Sequence, residues 1–305
     1  MMNIPTLRNL QYLLSLYEHQ NFSRAAEDCF VSQSTLSAGI LNLEELLGAP
    51  LVERTNKTLT FTALGLEVVE RARKILQEVE DLTQLSRSWG QPLTGAVRLG
   101  GIPTITPFLL PRILADSKEQ FPQLELLPKE DLTDRLLDEL HHGKLDLALL
   151  ALPYSASNIV TVSLGRDAFR FICHRESRLV QPPLLSYDDL PDGSILLLEE
   201  GHCLRQHAIE ACKLKNNAKI NMSAIASLHT LVQMVHYDLG VTFLPQLAID
   251  AGILHGTRVA VHEAPAFAAY REIGLAWRKS SARANEFLIF AQWLRTRFFA
   301  DRRET

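Results

Sequence analysis

The chain has 305 residues, 47% of them hydrophobic and 22% charged, with a formal net charge of −4 at pH 7. That length exceeds one simple core and predicts two or three domains, and the composition is that of an ordinary globular protein, which excludes a disordered or low-complexity chain. No basic segment leads into an apolar signal core, no apolar run is long enough to span a bilayer, and four cysteines are too sparse for a secreted disulfide framework. No membrane partner is expected, and a reducing cytoplasm is the expected compartment.

The first sixty residues read as a compact helical unit. Leu10, Leu13, Leu14 and Tyr17 recur at helical spacing, Asn21 precedes a short helix expected over Ser23 to Phe30 with Ala25, Ala26 and Cys29 on its apolar side, and Val31 ends the connection. In VSQSTLSAGILNLEELLG, Ser32 is the expected N-cap, Leu36, Ile40, Leu43 and Leu47 form an inward stripe, and Gly48 stops the helix. Three helices with a tight joint suggest helix-turn-helix. The stripe leaves Gln33, Ser34, Thr35 and Ser37 at the exposed N-terminal end, where a recognition helix carries groups that reach bases and phosphates. The segment LVERTNKTLTFTALG then reads as a hairpin around Asn56 and Lys57, a wing able to press Arg54 and Lys57 against a phosphate backbone.

Charge argues the other way. Through Thr62 the acidic residues (Glu18, Glu27, Asp28, Glu44, Glu45, Glu53) outnumber the basic ones (Arg8, Arg24, Arg54, Lys57). DNA affinity would therefore have to come from local placement and from doubling the module, and a helical protein-interaction domain stands beside the DNA-binding reading.

A long helix is expected from Ala63 to Arg87, with Val68, Ala72, Ile75, Val79 and Leu82 as a seam that pairs either with a second copy or with the chain's own core; Ser88 to Gly95 reads as a linker. Strands and helices alternate beyond it. AVRLGGI, LELLPKE, LDLALLAL, FRFICH, SILLLEE, GVTFL and YREIGLAWRK are expected strands. Helices are expected from Thr104 to Gln120, Thr133 to His142, around the cysteine segment, from Ser227 to Asp238, and at the C-terminus. Parallel strands with crossover helices place ligands outside their carboxyl ends, so Thr104, Thr133 and Cys203, each expected to open a helix, can converge on one crevice.

Within LLLEEGHCLRQHAIEAC, Cys203 falls at the expected first turn of a helix with His202 and Arg205 beside it, features that favour thiolate. Cys212 lies nine residues on, which along an intact helix is roughly 13 Å, beyond the reach of a disulfide. Pairing of the two would require that helix to unwind. Free cysteines are more often small buried hydrophobes, and Cys29 and Cys173 read that way.

The segment NFSRAAEDCFVSQSTLSAGILNLEELLGAPLVERTNKTLTFTALG resembles the DNA-binding signature of LysR-type transcriptional regulators, and LLDELHHGKLDLALLAL and LVQMVHYDLGVTFLP resemble that family's effector-domain landmarks. LLLEEGHCLRQHAIEAC is similar to the redox segment of hydrogen peroxide-sensing members, and GIPTITPFLLP matches them at the front of the effector domain. The resemblance spans the whole chain. It implies an N-terminal winged helix-turn-helix over 1–62, a linker helix and hinge over 63–94, and a periplasmic-binding-protein-like α/β effector domain over 95–305, with subdomain I at 95–166 plus 270–305 and subdomain II at 167–269. It further implies double-stranded DNA as partner, a dimer of dimers, RNA polymerase as a candidate partner, hydrogen peroxide as signal, and no cofactor. By the same resemblance Cys203 would be the peroxidatic cysteine and Cys212 the resolving one, with Thr104, Thr133, His202, Arg205 and Arg271 around the peroxide. The chain departs from the family where Asp238 and Leu239 stand in place of a glycine, and at Glu272. Three rivals follow from the same residues: a LysR-type regulator binding a small metabolite with both cysteines as bystanders, a thiol peroxidase, and a protein-interaction module.

Overall fold

The computed structural model describes residues 4–54, 59–87, 92–154, 157–180, 187–211, 217–263 and 269–300. The chain divides into two compact units after Ser86.

The first unit begins with α1 (Leu7–His19), α2 (Phe22–Asp28) and α3 (Gln33–Leu47). Each starts at a residue whose side chain takes the otherwise unpaired amides: Thr6 accepts from Asn9, Asn21 from Ser23 and Arg24, Ser32 from Thr35. Gly48, at φ 71°, closes α3 in the left-handed region. A Cβ on Gly39 would stand 2.5 Å from the Tyr12 ring, so only glycine lets α1 and α3 approach this closely. Strands β1 (Val52–Arg54) and β2 (Leu59–Phe61) pair antiparallel behind them.

Leu13, Leu16, Ala25, Leu36, Ile40, Leu43 and Leu51 form this unit's core. Two expectations change in detail. Leu47 is 41% exposed and does not complete the α3 stripe, because the last turn overhangs the core; Cys29 caps α2 and does not lie within it. The seam of α4 (Ala63–Arg87) also splits. Ala72 is buried in the unit's own core and Val68 packs on it, whereas Ile75, Val79 and Leu82 are 46%, 37% and 67% exposed.

The second unit is built on a seven-stranded sheet. Its elements are β3 (Gly95–Gly101), α5 (Thr106–Gln120), β4 (Leu124–Glu130), α6 (Thr133–His141), β5 (Leu147–Leu152), β6 (Ile159–His174), α7 (Cys203–Ala211), α8 (Leu228–His236), β7 (Thr242–Pro245), α9 (Gln246–Asp250), β8 (Val259–Glu263), β9 (Tyr270–Arg278) and α10 (Ala284–Phe298). The strand order is β4-β3-β5-β9-β6-β7, with β8 also on β6. β3 runs parallel to β4 and β5; all other pairings are antiparallel, so the sheet is mixed and not the parallel one expected.

β6 organises this unit. Residues 159–168 pair with β9, and residues 169–174 pair with β7 and β8, so one 16-residue strand passes from one half of the sheet to the other. SILLLEE is not a laddered strand: Ile195 alone makes parallel bridges, to Ile220 and Val241, before the chain turns into α7. Thr104 precedes α5, lying in the turn after β3. Asp238 has φ 55°, which explains why glycine suits this place; here its carboxylate holds the turn by accepting from the Ser177 hydroxyl (2.6 Å) and the Arg178 amide (3.1 Å). Among the described residues no helix is long and apolar enough to cross a membrane.

Candidate functional site

The site lies where β6 changes partners. Asp167 on β6 stands opposite Arg271 on β9 in the antiparallel register, and both side chains are fully buried. Arg271 donates through Nε to Asp167 Oδ2 (3.0 Å), through Nη1 to Thr104 Oγ1 (2.8 Å) and through Nη2 to the Thr104 carbonyl (2.9 Å). The other Asp167 oxygen accepts from the Leu247 amide at 2.8 Å. A buried charge pair is tolerated only when its remaining donors and acceptors are satisfied, and here they hold the guanidinium in one place. With one lone pair of Thr104 Oγ1 occupied by Arg271, that hydroxyl keeps its own proton to donate.

Cys203 opens α7, which packs on β9, and its thiol is partly buried against the core of the second unit. Burial pushes the Cys203 thiol up from its ordinary value. The Arg271 charge, a hydrogen bond from the Thr133 side chain, and the backbone amides of Leu204 and Cys203 act in the opposite direction without overcoming it. At rest the sulfur is therefore a thiol, surrounded by groups that stabilise the thiolate once the proton leaves. Thr133, the first residue of α6, does not cap its helix; its hydroxyl serves the sulfur.

Two neighbours do less than their adjacency in sequence suggests. His202 is buried, and burial lowers its pKa against the raising effect of Glu199, so it is a neutral ring and not a cation beside the thiol. Arg205 donates from Nη1 to the Leu198 carbonyl (3.2 Å) and braces the segment entering α7. The cation acting on Cys203 comes from β9, 68 residues along the chain, as Arg271. Glu272 accepts from the Ser163 hydroxyl and so does not line the sulfur's side of the strand.

Two residues of this cluster escaped sequence reasoning. Asp167 carried no signal, since its partner lies 104 residues away and only the β6–β9 register joins them. His207 did carry one: it sits one turn after Cys203 on α7, a spacing that places two side chains on one helix face. Its Nδ1 is buried and has no hydrogen-bond partner among the described residues. Burial, then the Arg271 charge, lower the His207 pKa, with Glu210 opposing. Cys212 lies outside the described residues.

Beside Thr104 a cavity of about 250 Å³ opens between Pro103, Phe108, Glu130, Leu198 and His229.

In the first unit, Gln33, Ser34 and Thr35 are exposed at the start of α3 and Ser37 is half-buried one turn later. Ser32 Oγ lies 2.9 Å from Ser34 Oγ and 2.7 Å from Thr35 Oγ1, and Gln33 Oε1 accepts from Ser23 Oγ (3.1 Å), so the tip is pre-arranged by its own hydroxyls and by α2. Arg54 ends β1, and Lys57 lies outside the described residues.

Residues 7–66 match the bacterial regulatory helix-turn-helix protein model of the lysR family, and residues 90–299 match the LysR substrate binding domain. The chain is 39% identical over 292 residues to the HTH-type transcriptional regulator EstR of Acinetobacter baylyi, covering 96% of this chain and 97% of that protein. It is 35% identical over 293 residues to the DNA-binding transcriptional dual regulator OxyR of Escherichia coli, covering 95% of each. Among solved structures, a full-length OxyR variant of Pseudomonas aeruginosa superposes with a TM-score of 0.74 at 31% identity, covering 95% of this chain and 94% of that one. With helix-turn-helix and effector-domain models spanning both units, the chain belongs to the LysR family of DNA-binding transcriptional regulators, and within it to the OxyR type.

Proposed function

We propose that this regulator senses hydrogen peroxide through Cys203 and Cys212 and alters transcription of oxidative-stress genes in response. The observation that carries the reading is the surroundings of Cys203: a thiol at a helix start, with a Thr133 hydroxyl, two backbone amides and the fixed Arg271 guanidinium all able to stabilise negative charge on sulfur. Resemblance to OxyR supports the choice of oxidant.

In the first step the Cys203 sulfur attacks one peroxide oxygen, the O–O bond breaks, and the thiol proton leaves with the second oxygen as water, giving a sulfenic acid. In the second, the Cys212 thiol attacks that sulfenic sulfur and a second water departs, giving the disulfide. α7 runs from Cys203 to Ala211, a rise of roughly 12 Å, so the disulfide requires α7 to unwind. That refolding is the event transmitted to the DNA-binding unit.

Oligomerisation belongs to the same reading. The exposed Ile75, Val79 and Leu82 edge of α4 would pair with a second copy, and effector-domain contacts would make a dimer of dimers, with RNA polymerase as a downstream partner. Ile75→Asp would bury a carboxylate in that seam, and it is expected to sediment as a smaller species that no longer binds a two-half-site operator. Unchanged sedimentation contradicts the seam.

The test of the switch is a pair of variants treated with peroxide and a sulfenic-acid trap. Cys212→Ser is expected to accumulate trapped sulfenic acid at Cys203, and Cys203→Ser to give none; trapping in neither variant contradicts the reading. A second reading, a metabolite-responsive regulator, is favoured by the cavity beside Thr104 and by the similarity to EstR. It predicts that peroxide leaves both thiols intact.

A further inference from the structure

We propose that His207 is the proton acceptor of the Cys203 site, taking up the thiol's proton as sulfur attacks peroxide and returning it to the leaving oxygen. This inference rests on the peroxide reading of Cys203.

Three observations place His207 there. It follows Cys203 by four residues on α7, and helical side chains lean toward the N-terminal turn, so its ring lies over the turn that carries the thiol. The Arg271 charge acts on both Cys203 and His207, so one guanidinium biases the protonation of the two groups. His207 Nδ1 is buried without any protein partner among the described residues, in a protein whose other buried ionic groups at this site are fully bonded. A buried nitrogen left without a partner bears its full desolvation cost, and such a cost calls for a function. Nδ1 makes no hydrogen bond to the sulfur itself, so its lone pair is not committed to any described protein group.

The protonation states agree with that role. Burial and Arg271 keep the imidazole below its ordinary pKa of 6.5, so at neutral pH it is uncharged and able to accept. The thiol, pushed up by burial, arrives with its proton in place and needs an acceptor. Written out, the Cys203 proton passes by way of bound peroxide to His207 Nδ1; the thiolate bonds to the near peroxide oxygen as the O–O bond breaks; the departing hydroxide recovers the proton from His207 and leaves as water. The balance is one thiol and one peroxide to one sulfenic acid and one water, and the imidazole ends as it began. Among the described residues, the charges that act on His207 are Arg271 on β9, itself paired with Asp167 on β6, and Glu210 on its own helix, where Cys203 lies one turn earlier.

The test follows the rate of Cys203 oxidation by hydrogen peroxide against pH, in full-length protein with Cys212→Ser so that only the first step is read. With His207 present, the rate should fall on the acid side with an inflection below 6.5, where the imidazole becomes charged. In His207→Gln the rate at pH 7 should drop roughly a hundredfold and that inflection should disappear, leaving only the thiol's own rise toward alkaline pH. A His207→Gln profile that superposes on the parent overturns the proposal while leaving the peroxide reading intact. A parent protein whose Cys203 reacts no faster than free cysteine overturns both. Because His207→Gln can perturb α7, the His207 ring is also titrated by NMR in protein that retains it. Coincidence of its midpoint with the kinetic inflection supports the proposal, and a separation of more than one pH unit overturns it.

Discussion

Two helices of this protein begin with chemistry that matters, and they use their first turns in opposite ways. At α3 the Ser32 hydroxyl accepts the Thr35 amide, so the orphan donors are satisfied locally, and Gln33, Ser34 and Thr35 remain exposed. At α7 the amides of Cys203 and Leu204 are directed to the cysteine's own sulfur, which is also hydrogen-bonded by Thr133 and lies in the field of Arg271. The same partial positive charge thus sets a polar tip facing solvent in one unit and stabilises a potential anion in the other. What separates them is burial. Water solvates the α3 tip, whereas desolvation at α7 outweighs the amides and keeps Cys203 protonated until a proton acceptor and an electrophile arrive.

The largest expected effect that would sharpen this contrast is Arg271→Met. It strands the Asp167 carboxylate in the core, and urea denaturation of the second unit should show a loss of about 3–5 kcal/mol. Asp167→Leu combined with Arg271→Met should lose less, since no charge is then left alone; a single variant as stable as the parent breaks the account of the site's anchor. Ser32→Ala comes next, removing the α3 cap at a cost of about 1 kcal/mol, seen in the first unit's unfolding and not in the rate at which Cys203 meets peroxide. An effect on Cys203 would contradict the independence of the two helix starts.

How much of this was legible in the sequence follows the range over which each signal acts. α3 was readable because its cap and its stripe of Leu36, Ile40 and Leu43 are local and periodic, and only the overhanging Leu47 was misread. In α4 the same periodicity was seen, but spacing cannot tell a seam facing a partner from one facing the chain's own core, and Val68 and Ala72 do the latter. SILLLEE had strand composition without a ladder to join, and β8 was missed beside it. Of the Cys203 cluster, Thr104 and Thr133 were suggested by helix starts expected to meet in one crevice, Arg271 was reached only through family resemblance, and His202 and Arg205 were over-weighted because adjacency in sequence is not proximity of charge. Asp167 could be found only by knowing the β6–β9 register.

Thr133→Val is the next smaller test. Losing one hydrogen bond to the sulfur, about 1 kcal/mol, should slow peroxide oxidation of Cys203 about fivefold with little change in fold stability; no change would remove Thr133 from the site. The smallest effect concerns pH. His202 and His207 are both held below 6.5 in the folded state, so below that value the unfolded chain binds more protons than the folded one. Stability of the second unit should therefore be fully present above 6.5 and decline as pH falls through 6.5 and below, and replacing both histidines with Gln should flatten that part of the curve. A decline of equal size in the doubly substituted protein would assign it to other groups.

The central claim is that Cys203 is the peroxide-reactive thiol and that its product engages Cys212. The most direct measurement treats the purified full-length protein with one equivalent of hydrogen peroxide, alkylates the remaining thiols and maps the cross-linked peptides by mass spectrometry. The account predicts loss of two thiols and a single Cys203–Cys212 cross-link, with Cys29 and Cys173 still alkylated. Four intact thiols, or Cys203 joined to Cys29 or Cys173, would contradict it.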